Sequence, residues 1–151
     1  MSQHPADVER AKNIQQYGWA VMLIAHQPPF GYTTGIFKTF GKPEIFFCGL
    51  SHEDIHALCN KYGEAVRSGS EFHAGDILED WLTSGHFKLV EIEDQWKPMF
   101  LGKAVDDLDS DTFPALQAVW STTEGFYPGS IEWPERLKDA QFVLAPTFRT
   151  D

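Results

Sequence analysis

The chain has 151 residues, a mass of 17.1 kDa and a formal net charge of −10, which results from 22 acidic and 12 basic side chains. This length fits one globular domain, residues 1–151, with a hydrophobic core of its own. Because so acidic a chain has no stripe of Lys and Arg to neutralise phosphates, we expect no direct nucleic-acid binding. We also expect no membrane contact, because the longest apolar run, residues 19–25, is too short to span a bilayer.

The cysteine content and the first residues predict the cellular compartment. Two cysteines, Cys48 and Cys59, are too few for a disulfide framework. The opening segment, MSQHPADVER, is polar and acidic, and it lacks the basic and apolar regions of a signal peptide. We therefore expect a cytoplasmic protein with reduced thiols.

The first part of the chain predicts one helix and three closely spaced strands. Residues 6–17 form a helix pattern, with Pro5 near its start and Gly18 at its end. The continuous apolar run at 19–25 predicts a strand that is buried on both faces. Residues 30–37 and 44–50 are rich in β-branched and aromatic side chains and predict two further strands, which the short connections favour as antiparallel neighbours.

The remainder predicts helices and strands in alternation. Apolar side chains at helical spacing predict helices over 52–68 and 97–108, and an Asp76–Glu79 capping pattern predicts a short helix over 76–82. Strands are predicted at 87–94, at 113–120 and, as a last edge strand, at 139–146. The fold class that follows is α+β: a single domain with a mainly antiparallel or mixed sheet, packed by the two principal helices at 52–68 and 97–108.

One short stretch, SHEDIH at 51–56, matches the H-E-x-x-H pattern of zinc metalloproteases. In that pattern His52 and His56 would bind zinc from one helix face, and Glu53 would act as the general base. An ordinary helix start explains the same letters, because Ser51 is a good N-cap and the acidic residues after it complement the helix dipole. The dipole disfavours a cation there, and no spacing supplies a third ligand. We predict no metal and no cofactor, and we expect both histidines to edge the core while Glu53 faces solvent.

Five stretches resemble the bacterial domain-of-unknown-function family 4262 in their order and spacing: GWAVMLI, FGYTTGIF, GKPEIFFCGL, LQAVW and EGFYP. The most specific pieces are YTTG at 32–35, PE at 43–44 and LQ at 116–117. After the VW pair the family tends to continue Pro-Asp, where this chain has Ser121 and Thr122. The H-E-x-x-H letters are not part of the family pattern. The resemblance implies an architecture and no established activity.

Polar side chains interrupt the predicted strands, and buried polar groups must find hydrogen-bond partners. Two interpretations are open. The polar side chains form a structural network that joins strand ends to loops, or they line a small pocket rich in aromatic rings. In both interpretations Tyr32, Glu44 and Gln117 share one neighbourhood. The ligand-pocket candidates are Tyr32, Thr34, Glu44, Gln117 and Trp120.

Two functions from different classes fit these observations, because no nucleophile and base stand at a spacing that forces a reaction. The favoured one is a non-catalytic binding domain that recognises a protein or a small molecule. By analogy with other small acidic proteins, such a domain fits a role in bacterial conflict or stress systems. The alternative is a small hydrolase-like enzyme, with or without a metal, that acts through Glu44 or through the His52, Glu53 and His56 group.

Overall fold

The structure of the protein is a computed structural model, and it describes residues 4–145. The helices are α1 (Pro5–Tyr17), α2 (Ile36–Phe40), α3 (His52–Arg67), α4 (Lys97–Phe100) and α5 (Gly102–Leu108), and short 3-10 turns occupy Asp94–Trp96 and Glu135–Leu137. The strands are β1 (Ala20–Ile24), β2 (Phe30–Thr34), β3 (Glu44–Cys48), β4 (Ile77–Leu78), β5 (Phe87–Glu91) and β6 (Ala115–Trp120).

The six strands form one sheet in the order β1-β2-β3-β6-β5-β4. The β3–β6 pair at the centre is parallel, and the other four pairs are antiparallel. The prediction of an α+β domain with a mainly antiparallel or mixed sheet is therefore confirmed, and the sheet is mixed. Among the helices within residues 4–145, none is long and apolar enough to cross a membrane.

Each face of the sheet carries its own apolar cluster, because alternate strand residues point to opposite faces. Ile45 and Phe47 of β3 face α3, and Phe46 and Cys48 face α4, α5 and the segment 141–145. Helix α3 presents a buried stripe to the first cluster, as its apolar spacing predicts: Ile55, Leu58, Cys59, Tyr62 and Val66. The predicted helix over 97–108 is interrupted at the buried Leu101, which separates α4 from α5.

Strand β1 departs from its prediction as a strand buried on both faces. It lies at the edge of the sheet, its Leu23 side chain is 37% exposed, and Val21 and Met22 are half-buried. Helices α1 and α3 contact β1, and Val21 packs against the core on the α3 side, which accounts for the apolar run; grooves border both faces of the strand and leave part of it exposed.

The strand predicted over 30–37 ends early, because Gly35 adopts a φ of 102° and starts helix α2. That conformation favours glycine. The backbone N–H groups of Ile36 and Phe37 then donate to the Glu44 carboxylate, which caps the short helix from the next strand. This partner lies on the next strand, seven and eight positions along the chain, so the residues of the helix do not themselves indicate its cap.

Two other predicted elements are also replaced. The helix expected at 76–82 is absent: the Asp76 carboxylate accepts from His73 N, and the Leu89 N–H donates to the Asp76 carbonyl, so that β4 pairs with β5 instead. The edge strand expected at 139–146 is also absent from 139–145. Instead, the Gln117 side chain of β6 bonds the backbone of Phe142 and Leu144, and the Gln141 side chain donates to the Trp120 carbonyl of β6. Residue 146 lies outside the described residues.

Candidate functional site

The five predicted pocket residues lie on three adjacent strands, but their side chains have separate partners. Tyr32 and Thr34 are on β2, Glu44 is on β3, and Gln117 and Trp120 are on β6. Tyr32 is opposite Phe46, and Phe46 is opposite Gln117, so Tyr32, Phe46 and Gln117 lie in one row across the sheet. Tyr32 lines one surface groove and Trp120 another, whereas Thr34, Glu44 and Gln117 are completely buried.

Glu44 is completely buried and holds the start of α2. Its Oε1 accepts from Thr33 Oγ1 at 2.8 Å and from Ile36 N at 3.2 Å, and its Oε2 accepts from Phe37 N at 2.9 Å. Burial raises the pKa of the Glu44 carboxyl to about 7, and these hydrogen bonds act in the opposite direction. Both oxygens are therefore engaged within the protein, and the carboxyl has no exposed surface.

Thr34 belongs to a charged network that sequence reasoning missed. Its hydroxyl donates to Asp107 Oδ2 at 2.7 Å. Arg10 donates to both oxygens of the same carboxylate, from Nε at 3.0 Å to Oδ2 and 3.3 Å to Oδ1 and from Nη2 at 2.9 Å to Oδ1. Arg10 Nη1 donates to Asp7 Oδ1 at 2.5 Å. Bidentate arginine–carboxylate pairs are among the stronger hydrogen-bonded contacts. The network joins α1, α5 and β2, and it explains why Thr34 is buried.

Gln117 fixes the C-terminal segment to the sheet. Its Nε2 donates to the Phe142 carbonyl at 2.5 Å, and its Oε1 accepts from Leu144 N at 2.7 Å. The amide therefore satisfies a donor and an acceptor of a segment that has no strand partner. The interpretation as a structural network describes Thr34, Glu44 and Gln117 well.

Tyr32 and Trp120 line surface grooves at different places. The Tyr32 hydroxyl accepts from Lys103 N at 3.0 Å, and burial raises the pKa of Tyr32 to about 12. Its ring lines a groove of about 330 Å³, here called the α5-side groove, with Met22, Ile24, Phe30, Met99, Phe100, Gly102, Lys103 and Asp106.

The Trp120 groove, of about 320 Å³, lies just beyond the carboxyl ends of the parallel strands β3 and β6. Trp120 Nε1 donates to the Cys48 carbonyl at 2.9 Å, and its ring is 5.4 Å from the ring of Trp133. Apolar and polar groups share the remaining wall: Leu50, Leu82, Ser84, Ser121, Thr122, Thr123, Glu124, Arg136 and Leu137.

The H-E-x-x-H stretch forms the first turns of α3. Ser51 Oγ accepts from Asp54 N at 3.1 Å, which confirms the predicted N-cap, and Glu53 is exposed. His52 is half-buried, with its Nε2 at 2.9 Å from the Ile24 carbonyl oxygen. His56 is exposed, so the expectation that it edges the core is wrong: it lines a groove of about 350 Å³ between α1, β1 and α3 instead.

This third groove, here called the α3-side groove, also contains Asn13, Tyr17, Trp19, Ala20, Val21, Asn60 and Glu64. Trp19 Nε1 donates to Asn60 Oδ1 at 2.9 Å, which orients the amide in the wall. Across the described part of the chain, no group of three His, Cys, Asp or Glu side chains is placed to hold a metal ion.

A serine and a histidine meet near the Trp120 groove without forming a nucleophile–base pair. Ser121 Oγ accepts from the backbone N–H of His86 at 2.9 Å and donates to the Thr122 carbonyl at 2.8 Å. The His86 ring is hydrogen-bonded through Nδ1 to the Tyr127 hydroxyl. A base must contact the proton that it removes. Here the imidazole and the serine hydroxyl have different partners.

These features define a small α+β domain with a mixed six-stranded sheet, in which most polar strand residues serve the fold and several grooves open on the surface. The chain belongs to the family described as Domain of unknown function (DUF4262), whose model matches residues 13–134. The resemblance seen in the sequence is thereby confirmed. Comparisons with curated proteins and with solved structures give no significant match.

Proposed function

We propose that the protein is a non-catalytic binding domain that recognises a protein or a small molecule. One observation carries the proposal: Glu44, the strongest candidate for a catalytic base, is fully buried, and both of its oxygens are engaged by internal donors. The grooves instead present aromatic rings, amides and hydroxyls, which are the groups that ligand sites use to fix a partner.

The alternative, a hydrolase-like enzyme, would need Glu44 or the α3 histidines to reach a substrate. Glu44 could do so only if α2 moved away from β3, because its carboxylate caps that helix. His52 is directed to the Ile24 carbonyl, whereas His56 and Glu53 are accessible in the first turns of α3. Accessibility alone does not supply the third ligand that a catalytic zinc requires. For these reasons we favour binding.

If the ligand is a small molecule, we propose the Trp120 groove as its site. In open α/β sheets ligands bind beyond the carboxyl ends of the parallel strands, and the Trp120 groove lies at the corresponding ends of the parallel pair β3 and β6. Trp120, which packs against the ring of Trp133, offers stacking surface, and Ser84, Glu124 and Arg136 offer polar contacts at the rim.

A thermal-shift screen of small molecules and of fractionated cell extract, each with and without divalent metal ions, tests the proposal. A ligand at a hundred times its Kd stabilises by about 2.7 kcal/mol, which raises the Tm of a chain of this size by about 5–10 °C. We expect such shifts without metal. For a small molecule the shift should be lost in Arg136→Ala and kept in Lys138→Ala, a nearby exposed control. Metal-dependent hydrolysis that disappears in His56→Ala, with Tm unchanged, would contradict the proposal.

We also propose a cytoplasmic location, and the family resemblance supports a bacterial origin. Cys48 and Cys59 are both free and buried in the core, and burial raises the pKa of the Cys48 thiol to about 12. Thiols of this kind are compatible with a reducing compartment, where no disulfide is needed for stability. Expression of a reporter fusion and fractionation of cells would test the location directly.

A further inference from the structure

The outer edge of β1 has the properties of an unoccupied pairing site. β1 ends the sheet on one side, and the backbone groups of residues 20–23 have no partner besides β2 within residues 4–145. Alternate residues of an edge strand direct their N–H and C=O groups outward. At the end of the strand, the Ile24 carbonyl oxygen lies 2.9 Å from His52 Nε2.

The β1 strand itself carries none of the sequence devices by which proteins protect exposed edges, although α1 and α3 contact it and His52 covers its Ile24 end. Such devices are charged side chains, proline, a bulge or a very short strand. The sequence of β1 is AVMLI, and its register with β2 is continuous over all five pairs. The opposite edge of the same sheet follows the rule, because β4 consists of Ile77 and Leu78 alone. The contrast indicates that the β1 edge is kept open for a partner.

Two grooves flank this one edge, one on each face of the sheet. Val21 lines the α3-side groove, and Met22 and Ile24 line the α5-side groove. An extended segment paired with β1 would direct its successive side chains alternately into the two grooves, because strand side chains alternate with a period of two. Their volumes, about 350 and about 330 Å³, are large enough for side chains.

The chemistry of the grooves differs and specifies the segment. The α5-side groove is mostly apolar and includes Met99, which is 70% exposed, and the rings of Phe30 and Phe100. The α3-side groove is mixed, because it combines Trp19, Ala20 and Val21 with the polar Asn60 and Glu64. Glu64 accepts from Arg67 Nη1 at 3.0 Å and remains 60% exposed, and the Arg67 guanidinium also lies 4.8 Å from the centre of the Trp19 ring, so a basic side chain of a partner would share Glu64 with Arg67.

Charge favours a basic peptide over a second copy of the chain as the occupant. The chain carries a net charge of −10, and two copies paired through β1 would bring like charges together. A basic segment with alternating apolar residues complements the charge and both grooves.

We propose that the domain binds an extended peptide segment of a partner protein as a seventh strand along β1, with apolar side chains in the α5-side groove and basic side chains in the α3-side groove. The inference rests on the proposed binding function and names its partner class. Recognition by strand addition uses main-chain hydrogen bonds for affinity and alternate side-chain pockets for specificity.

The probe is an acetylated and amidated heptapeptide in which valine and lysine alternate, and fluorescence polarisation measures its binding. We expect it to bind about tenfold more tightly than a peptide of the same composition with contiguous valines. N-methylation of one alternate set of residues should weaken binding about tenfold, and methylation of the other set should have little effect, because only one set directs its N–H groups to β1. Amide exchange at residues 20–23 should slow when the peptide binds.

Matched variants test the two grooves separately. Glu64→Lys should weaken binding of the valine–lysine peptide and strengthen binding of a peptide with glutamate in place of each lysine. Glu132→Lys, an exposed control outside the grooves, should change neither affinity. Met99→Asp should weaken both peptides, whereas Ile131→Asp, at a side chain that is 95% exposed, should not. All four positions are exposed, so the fold should tolerate the changes.

Three results would overturn the proposal: equal binding of alternating and contiguous peptides, equal effects of the two N-methylated sets, or dimerisation through β1 in sedimentation without peptide. A small molecule that stabilises the domain through the Trp120 groove, while no peptide binds, would refute strand addition and leave the proposed binding function intact. Hydrolysis with no ligand found would refute the proposed function itself.

Discussion

Replacing Glu44 by Gln should remove a pH-dependent part of the stability of the protein. The Glu44 carboxyl is buried beneath α2, and burial raises its pKa from 4.5 to about 7. Between these two pH values the folded protein holds a proton at this site that the unfolded chain releases. Because the folded-state pKa is the higher one, the contribution of Glu44 to stability is fully present below pH 4.5 and is lost as the pH rises through about 7.

The size of the effect follows from the same two values. One pKa unit corresponds to about 1.4 kcal/mol, so the free energy of unfolding should fall by about 3 kcal/mol across this window. The glutamine amide of the variant cannot titrate. It also leaves one of the three donors around it without an acceptor, which costs about 1–3 kcal/mol at every pH.

Urea unfolding followed by tryptophan fluorescence, at about pH 5 and about pH 8, measures the effect. We expect the free energy of unfolding of the wild type, minus that of Glu44→Gln, to fall by about 2–3 kcal/mol between the two conditions, which include most of the window. The same difference for Glu132→Gln, an exposed control, should stay constant. A difference that does not change with pH would refute the reasoning, and it would mean that the three hydrogen bonds hold the pKa of Glu44 near 4.5.

Three further predictions concern stability. Arg10→Ala should destabilise the fold by about 2 kcal/mol in urea unfolding, because the half-buried carboxylate of Asp107 loses its bidentate partner; a loss below about 0.5 kcal/mol would contradict this. In the same measurement Gly63→Ala should lower the free energy of unfolding by about 1–2 kcal/mol, because the new methyl group would clash with the indole ring of Trp19. Gly102→Ala has open space around it and should raise the free energy of unfolding by about 0.5 kcal/mol; equal effects of the two changes would contradict this. Purified protein should contain no stoichiometric zinc by elemental analysis, and neither a chelator nor His56→Ala should change Tm; one zinc per chain would contradict this.

Elements with strong local signals could be predicted from the sequence. The apolar spacing of α3 and the cap at Ser51 are both local, and both are present in the structure. Helix α2 could not be predicted, because the group that caps it is a carboxylate on the following strand, at Glu44. Segment 139–145 has a strand-like sequence but is held by Gln117, so a distant side chain overrides its local preference.

The candidate site shows the same division. The sequence indicates that Glu44 and Gln117 need partners, because they interrupt apolar strands, but it does not indicate which partners. Arg10 and Asp107 are 97 positions apart, and each alone resembles an ordinary charged surface residue. The sequence also does not show that β1 is an edge strand. An apolar run predicts burial, but it does not indicate which side of the strand the folded chain leaves exposed.

The parallel pairing of β3 with β6 has a consequence for the order in which the protein folds. β3 gains its second neighbour only after the chain from Gly49 to Pro114 has been synthesised, whereas β1, β2 and β3 pair through short connections. Contacts between distant segments form late, because closing a long loop costs entropy before it gains any contact. On the ribosome, the strand EIFFC at 44–48 must therefore wait with one edge unpaired, and during that interval this apolar edge is exposed to pairing with other chains.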